Sequence, residues 1–163
     1  MKTFMRTSAF LLVTSAIILQ ADSNGFSGKW VLDNHSTQPP NAPKKLETQI
    51  KQDGSEITIE SRFQEPSNGI VPLVYLGLMA DKVKLNTDGQ EAQNTIGPFQ
   101  MAAKSTVDGN AIQTDWTAQV KDDQVKGHWT HRLSDDGKHM TWEIQETSTH
   151  GQQGLATLTF VKK

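Results

Sequence analysis

From residue 45 onward the chain alternates between apolar and polar residues in short runs broken by turn signals. "KLETQIKQ" (45–52), "EITIESRF" (56–63), "AIQTDWTAQV" (111–120) and "QVKGHWTHRL" (124–133) all repeat with period two, the pattern of strands with one buried face. Between such runs lie "QDGS" (52–55), "EPSNG" (65–69), "TDGQ" (87–90), "IGP" (96–98), "VDGN" (107–110), "KDDQ" (121–124), "SDDGK" (134–138) and "HGQQG" (150–154). No segment carries a 3.6-residue stripe. The best helix candidate, "GIVPLVYLGLMADKV" (69–83), is interrupted by Pro72 and Gly77, and reads instead as one or two strands with an irregular middle. "NHSTQPPNAPKK" (34–45) is a proline-rich loop. The pattern predicts an all-β fold, an antiparallel up-and-down meander of about 8–10 short strands, which hides its edges most simply by closing into a barrel. A β-sandwich has the same sequence spacing and is the alternative.

Turn lengths set the register, because a slip of one residue turns a whole strand over. A two-residue Asp108-Gly109 loop places Met101 opposite Trp116 and Ala103 opposite Thr114. An Asp122-Asp123 loop places Trp116 opposite Trp129, Thr114 opposite His131 and Ile112 opposite Leu133. An Asp136-Gly137 loop sets His131 opposite Trp142 and Trp129 opposite Ile144; a four-residue loop would set Trp129 opposite Trp142. Either choice gathers one inner set: Met101 and Ala103; Ile112, Thr114, Trp116, Ala118 and Val120; Val125, Gly127, Trp129, His131 and Leu133; Met140, Trp142 and Ile144. Gln113, Asp115, Gln119, Lys126, His128, Arg132, Thr141 and Glu143 fall on the other, solvated face. The inner face mixes three tryptophans with Ala103, Ala118 and Gly127. Such large-against-small alternation either fills a barrel or, in barrels of about eight strands or more, leaves room for one small ligand.

Those registers bear on the chemistry of "GHWTHRLSDDGKHMTWEIQE" (127–146). A metal needs several converging ligands. His128 and His131 stand three apart on a strand and point to opposite faces, His139 faces out, and His35 and His150 lie in a loop and a turn. With no cysteine in the chain, no metal site and no cofactor are expected. Nucleophilic catalysis lacks a Gly-x-Ser-x-Gly elbow and a cysteine. Ser105, the nearest inner hydroxyl, is expected opposite Ile112. A general acid–base pair of His131 with Glu146, a rim acid on the Met140–Trp142–Ile144 face, is the remaining route to an enzyme; no catalytic residue is assigned. His131 reads instead as a neutral buried imidazole bonded to Thr114 or to water.

The chain's 163 residues hold 16 Lys and Arg against 18 Asp and Glu. Residues 1–21 read as a secretory signal, with Lys2 and Arg6 ahead of the apolar "AFLLVTSAIIL" (9–19), a run too short for a comfortable membrane span. Cleavage near Ala21 would leave one domain over 22–163, exported to a periplasm or beyond, with no membrane span. That remainder is mildly acidic and without a basic stripe, which argues against a nucleic-acid partner. Without cysteines its stability in an oxidising compartment rests on packing and hydrogen bonds.

"GFSGKWVLD" (25–33) resembles the opening of calycin barrels, the superfamily of lipocalins and fatty-acid-binding proteins. There a Gly-x-Trp closes the barrel base, a role that the resemblance gives to Gly28 and Trp30. "LNTDGQE" (85–91), "RLSDDGKHMTWE" (132–143) and "TLTFVKK" (157–163) are similar to the mid-chain turn, late hairpin and closing strand of small lipocalin-like proteins exported by bacteria. Lipocalins usually place a late Arg over the first-strand Trp, whereas this chain ends in Lys162 and Lys163. "TDW" (114–116) echoes a lipocalin Thr-Asp-Tyr but lies within a strand. The combined expectation is an exported barrel that binds a small, largely apolar molecule. Met101, Thr114, Trp116, Trp129, His131, Met140 and Trp142 are its pocket candidates. The alternative is a structural or protein-interaction barrel of the cell envelope with a solid core, docking a partner through the 34–45 loop or an apolar patch near Val71 to Met79.

Overall fold

In the computed structural model the described residues are 23–36, 42–64, 77 and 80–163. The expected signal, most of the proline-rich loop, the "EPSNG" turn and nearly all of 69–79 lie outside them, so the patch expected near Val71 to Met79 does as well. After a short 3-10 helix (Ser23–Phe26), ten strands follow: β1 (Gly28–Leu32), β2 (Lys45–Asp53), β3 (Glu56–Gln64), β4 (Lys82–Asn86), β5 (Asp88–Ile96), β6 (Phe99–Asp108), β7 (Ala111–Val120), β8 (Asp123–Leu133), β9 (His139–Ser148) and β10 (Gln153–Lys162). They form one antiparallel sheet in the order β4-β3-β2-β1-β10-β9-β8-β7-β6-β5. Every neighbour is a sequence neighbour except β1 with β10, the pairing that curls the meander round on itself. The barrel reading holds, and the sandwich is set aside.

The two ends of the sheet, β4 and β5, meet without a backbone ladder. A side chain joins them: Lys84 N–H donates to Asn94 Oδ1 at 2.6 Å, and Asn94 Nδ2 donates to the Lys84 carbonyl at 2.9 Å. One amide thus imitates a missing rung and satisfies a donor and an acceptor that a strand edge would otherwise leave unpaired.

Burial follows the alternation. β8 reads Val125, Gly127, Trp129, His131 and Leu133 inward, and Lys126 and Arg132 outward. The inner set expected on β6 to β9 is buried throughout, with Val120 half-buried at a strand end. Two hairpins are displaced by two residues from the expected register, which leaves every face unchanged. In the first, Asp108 pairs with Ala111, so Gly109 and Asn110 form the loop and Ala103 sits opposite Trp116. Asn110 is drawn toward β8, where its Nδ2 donates to the Leu133 carbonyl at 2.6 Å and its own carbonyl accepts from Leu133 N–H at 2.9 Å. In the second, Val120 pairs with Asp123 and Trp116 with Gly127. There Asp123 joins the strand because its carboxylate accepts from the Thr149 N–H and hydroxyl, leaving Lys121 to take the left-handed turn position at φ 55°. The third hairpin has the two-residue register, with His131 opposite Trp142 and Trp129 opposite Ile144.

At the base, Trp30 is fully buried and its indole donates to the Phe26 carbonyl at 2.8 Å. The Lys162 ammonium lies 5.1 Å from the centre of the Trp30 ring and donates to the Gly25 carbonyl at 2.9 Å. A lysine therefore occupies the place that lipocalins usually give to an arginine, as a cation over an aromatic face. Gly28 takes φ 138°, and a side chain there would run into Lys162.

The seam yields a prediction. Asn94→Ala strands the backbone N–H and C=O of Lys84 and should cost about 1–3 kcal/mol in urea unfolding. It should also speed hydrogen exchange at the Lys84 amide relative to residues on β8. Unchanged exchange there would show that the amide does not hold the seam.

Candidate binding site in the barrel interior

Cross-strand pairing arranges the inner face of β6 to β10 in rows. One row runs Ala103, Trp116, Gly127, Glu146, Gly154; the next Ser105, Thr114, Trp129, Ile144, Ala156; the third Val107, Ile112, His131, Trp142, Leu158. Each tryptophan comes from a different strand and a glycine or alanine lies beside two of them, so the rings lean over one another. Ring centres are 5.3 Å apart for Trp116 and Trp129, 5.5 Å for Trp129 and Trp142, and 4.4 Å for His131 and Trp142. Trp116 lies across Gly127 so closely that a Cβ there would fall 2.1 Å from the ring. Gly77 does the same for Trp129, at 2.0 Å. These two glycines are sites of close approach, where any side chain would displace an indole.

Of the pocket candidates, Trp116, Trp129, His131 and Trp142 meet as one cluster. Thr114 lies beside it, Met101 is set toward β5 opposite Asn94 and Ala118, and Met140 lies between Leu133 and Phe160 at the far end. All seven are buried. Ser105 faces Thr114, not Ile112, and their hydroxyls bond at 2.9 Å. The expected bond from His131 to Thr114 is therefore not made: Thr114 already has a partner one strand away. Glu146 is corrected too. It is only 2% exposed, not at the rim, and glycines flank it on both neighbouring strands.

The interior polar atoms are notable for what they lack. The indole nitrogens of Trp116, Trp129 and Trp142, both ring nitrogens of His131 and both carboxyl oxygens of Glu146 are buried without a hydrogen-bond partner. Each such group costs about 1–3 kcal/mol when left unpaired, and seven atoms in one neighbourhood far exceed the usual few per domain. Burial drives the His131 imidazole down to about 3, so it is neutral at physiological pH. Burial likewise pushes the Glu146 carboxyl up to about 8, against a smaller opposing pull from the Trp129 side chain and the Gly77 backbone. Around neutral pH both groups are mainly uncharged, which lowers the cost of keeping them in an apolar barrel.

His131 and Glu146 share a face, but the Trp129–Ile144 row separates them and no hydrogen bond joins them, so the geometry does not assemble the acid–base pair. On the outer face, Asp115 contacts His128 Nδ1 at 2.7 Å and Thr130 lies 3.4 Å from His128 Nε2. This string has the residue types of a catalytic triad. It lies on a regular strand whose backbone N–H groups are engaged in the ladder, with none free to stabilise an oxyanion. His139 and His150 are exposed, beside Asp136 and Asp123 respectively, so the histidines do not converge. Among the described residues Leu155 is the exposed large hydrophobe, and a single such residue is not a docking patch.

With this geometry in hand, the comparisons place the fold. The structure is similar to a solved structure described as "REP1-NXSQ fatty acid transporter" (TM-score 0.55, 15% identity, covering 84% of this chain and 95% of that one). It is also similar to a secretory abundant heat soluble protein from Ramazzottius varieornatus (TM-score 0.54, 12% identity, 85% and 96% covered). Fatty-acid-binding protein 1 of Echinococcus granulosus is a third (TM-score 0.51, 9% identity, 85% and 98% covered). At 15% identity or less these likenesses are of fold: the chain forms a single antiparallel β-barrel similar to those of the three structures. No protein-family model matches the sequence, and no curated protein does.

The two buried groups predict a pH profile of stability. His131 falls from an ordinary 6.5 to about 3 on folding. Its contribution is present above pH 6.5 and is lost as pH falls toward 3, where the unfolded chain alone takes up the proton. Glu146 rises from 4.5 to about 8, so its contribution is present below pH 4.5 and is lost as pH rises toward 8. Between 4.5 and 6.5 the two slopes cancel. Urea unfolding across pH 3–9 should show a plateau there, and Glu146→Gln should remove the alkaline decline while keeping the acid one. An alkaline limb unchanged in that variant would refute the assignment.

Proposed function

We propose that this protein is an exported carrier or scavenger that binds one small, largely apolar molecule in its barrel interior and performs no catalysis. The observation that supports this best is the cluster of buried, unpartnered polar atoms set in an aromatic wall. An apolar cavity wall with a few convergent polar groups is the usual make-up of a small-molecule site, and a bound molecule would supply the partners that the fold does not. Two similar barrels named for carrying or binding fatty acids support the same reading. So does the mutual neutrality of His131 and Glu146, which suits binding more than proton transfer.

Intrinsic fluorescence provides the test, because three tryptophans line the site. Adding a long-chain lipid should change the emission saturably at one equivalent, and Trp129→Ala should weaken binding about tenfold, the loss of roughly 1.4 kcal/mol of contact. Emission that drifts without saturating would refute interior binding.

Export is part of the proposal and rests on the Lys2/Arg6 and "AFLLVTSAIIL" pattern. Expressed in a bacterium with its full sequence, the protein should be recovered outside the cytoplasm with a new N-terminus within a few residues of Ala21. Full-length protein retained in the cytoplasm would overturn it.

A further inference from the structure

We propose that the interior site selects an uncharged ligand bearing a carbonyl oxygen, such as a long-chain ester or ketone, and discriminates against the free carboxylate. This rests on the interior-binding reading and adds to it the chemistry of the ligand's polar end.

Charge makes the first argument. Every Lys and Arg after residue 22 is exposed, and residues 37–41 and 65–79 contain neither type. No Lys or Arg after residue 22 therefore stands inside the barrel to meet an anion. A carboxylate entering this interior would lose its hydration without gaining a counterion, and it would approach the Glu146 carboxyl. A fatty acid is in this respect the wrong ligand for a barrel that otherwise resembles fatty-acid carriers.

Hydrogen-bond inventory makes the second. An indole N–H can only donate, a neutral imidazole donates once and accepts once, and a protonated carboxyl donates once and accepts at its carbonyl. Trp116, Trp129 and Trp142 contribute three donors without a hydrogen bond, of which Trp129 alone lies near enough to the Glu146 carboxyl to act on it. The remaining hydroxyls nearby, Ser105 and Thr114, are bonded to each other. Donors are in surplus, so the complementary ligand presents acceptor oxygens and no proton of its own. An ammonium group would leave all three indoles unpaired.

Position makes the third. Glu146 sits in its row between Gly127 and Gly154, so no facing side chain covers its carboxyl from either neighbouring strand. Trp116 reaches over Gly127 toward it, and Trp129 stands in the adjoining row. The Trp116 indole thus takes the space that a side chain at Gly127 would fill opposite Glu146, with the Trp129 donor one row away.

The experiment compares laurate, methyl laurate and dodecylamine, each below its aggregation concentration at pH 7, by quenching of tryptophan emission. Methyl laurate should bind at least about tenfold tighter than either of the others. Laurate binding as tightly as the ester, or more so, would overturn the inference while leaving interior binding intact. Dodecylamine binding tightest would overturn it in favour of a cation held by Glu146 and the rings. If none of the three binds, nor a neutral fluorescent probe such as N-phenyl-1-naphthylamine, the interior-binding reading fails and takes the inference with it. Trp129→Phe keeps an aromatic ring and removes the N–H, and should weaken the ester about three- to tenfold more than it weakens the neutral probe. An ester affinity unchanged in Trp129→Phe would count against the donor surplus as the basis of selection.

Discussion

Strand parity governs this molecule. Side chains alternate across the sheet, and the hairpins of β6 to β9 are all of even slip, so that any displacement moves a strand by two residues and keeps its faces. Three tryptophans, a histidine and a glutamate from different strands share the interior for this reason alone. The outer face pays no comparable constraint: its ion pairs, such as Lys29 with Glu47 and Lys84 with Glu56, join half-exposed groups and contribute little each.

What can be read in the amino-acid order follows from which features are local. Face assignment needs only alternation and a turn, and every residue expected inside on β6 to β9 lies inside or, for Val120, at the margin. Absolute register needs more. Asn110 moved into a turn and Asp123 out of one because distant groups claimed them, the Leu133 backbone in one case and Thr149 in the other. Nothing within "VDGN" or "KDDQ" announces those partners. The seam is similar: Asn94 looks like any polar residue in a strand until β4 and β5 come together.

The interior site was legible in the same partial way. Alternation placed Glu146 on the inner face but not at its depth, since depth depends on how far neighbouring strands extend and on what lies over the end. A signal was present in the two glycines that face it, Gly127 and Gly154, which becomes readable only once the register is known. The polar character of the cluster emerges from the same source. His131 lost its expected partner when the two-residue displacement gave Thr114 to Ser105, and a satisfied imidazole became an unsatisfied one.

The pairing of β1 with β10 has a consequence for how the molecule comes into being. Trp30 lies opposite Lys162, and the Lys163 amide donates to the Lys29 carbonyl. The first strand therefore has no permanent neighbour on one side until β10 has been synthesised. Its contacts span nearly the whole sequence, the arrangement that makes folding slow and exposes unpaired edges meanwhile. Closure waits for β10, whose Lys162 locks over Trp30 from the far side of the sequence.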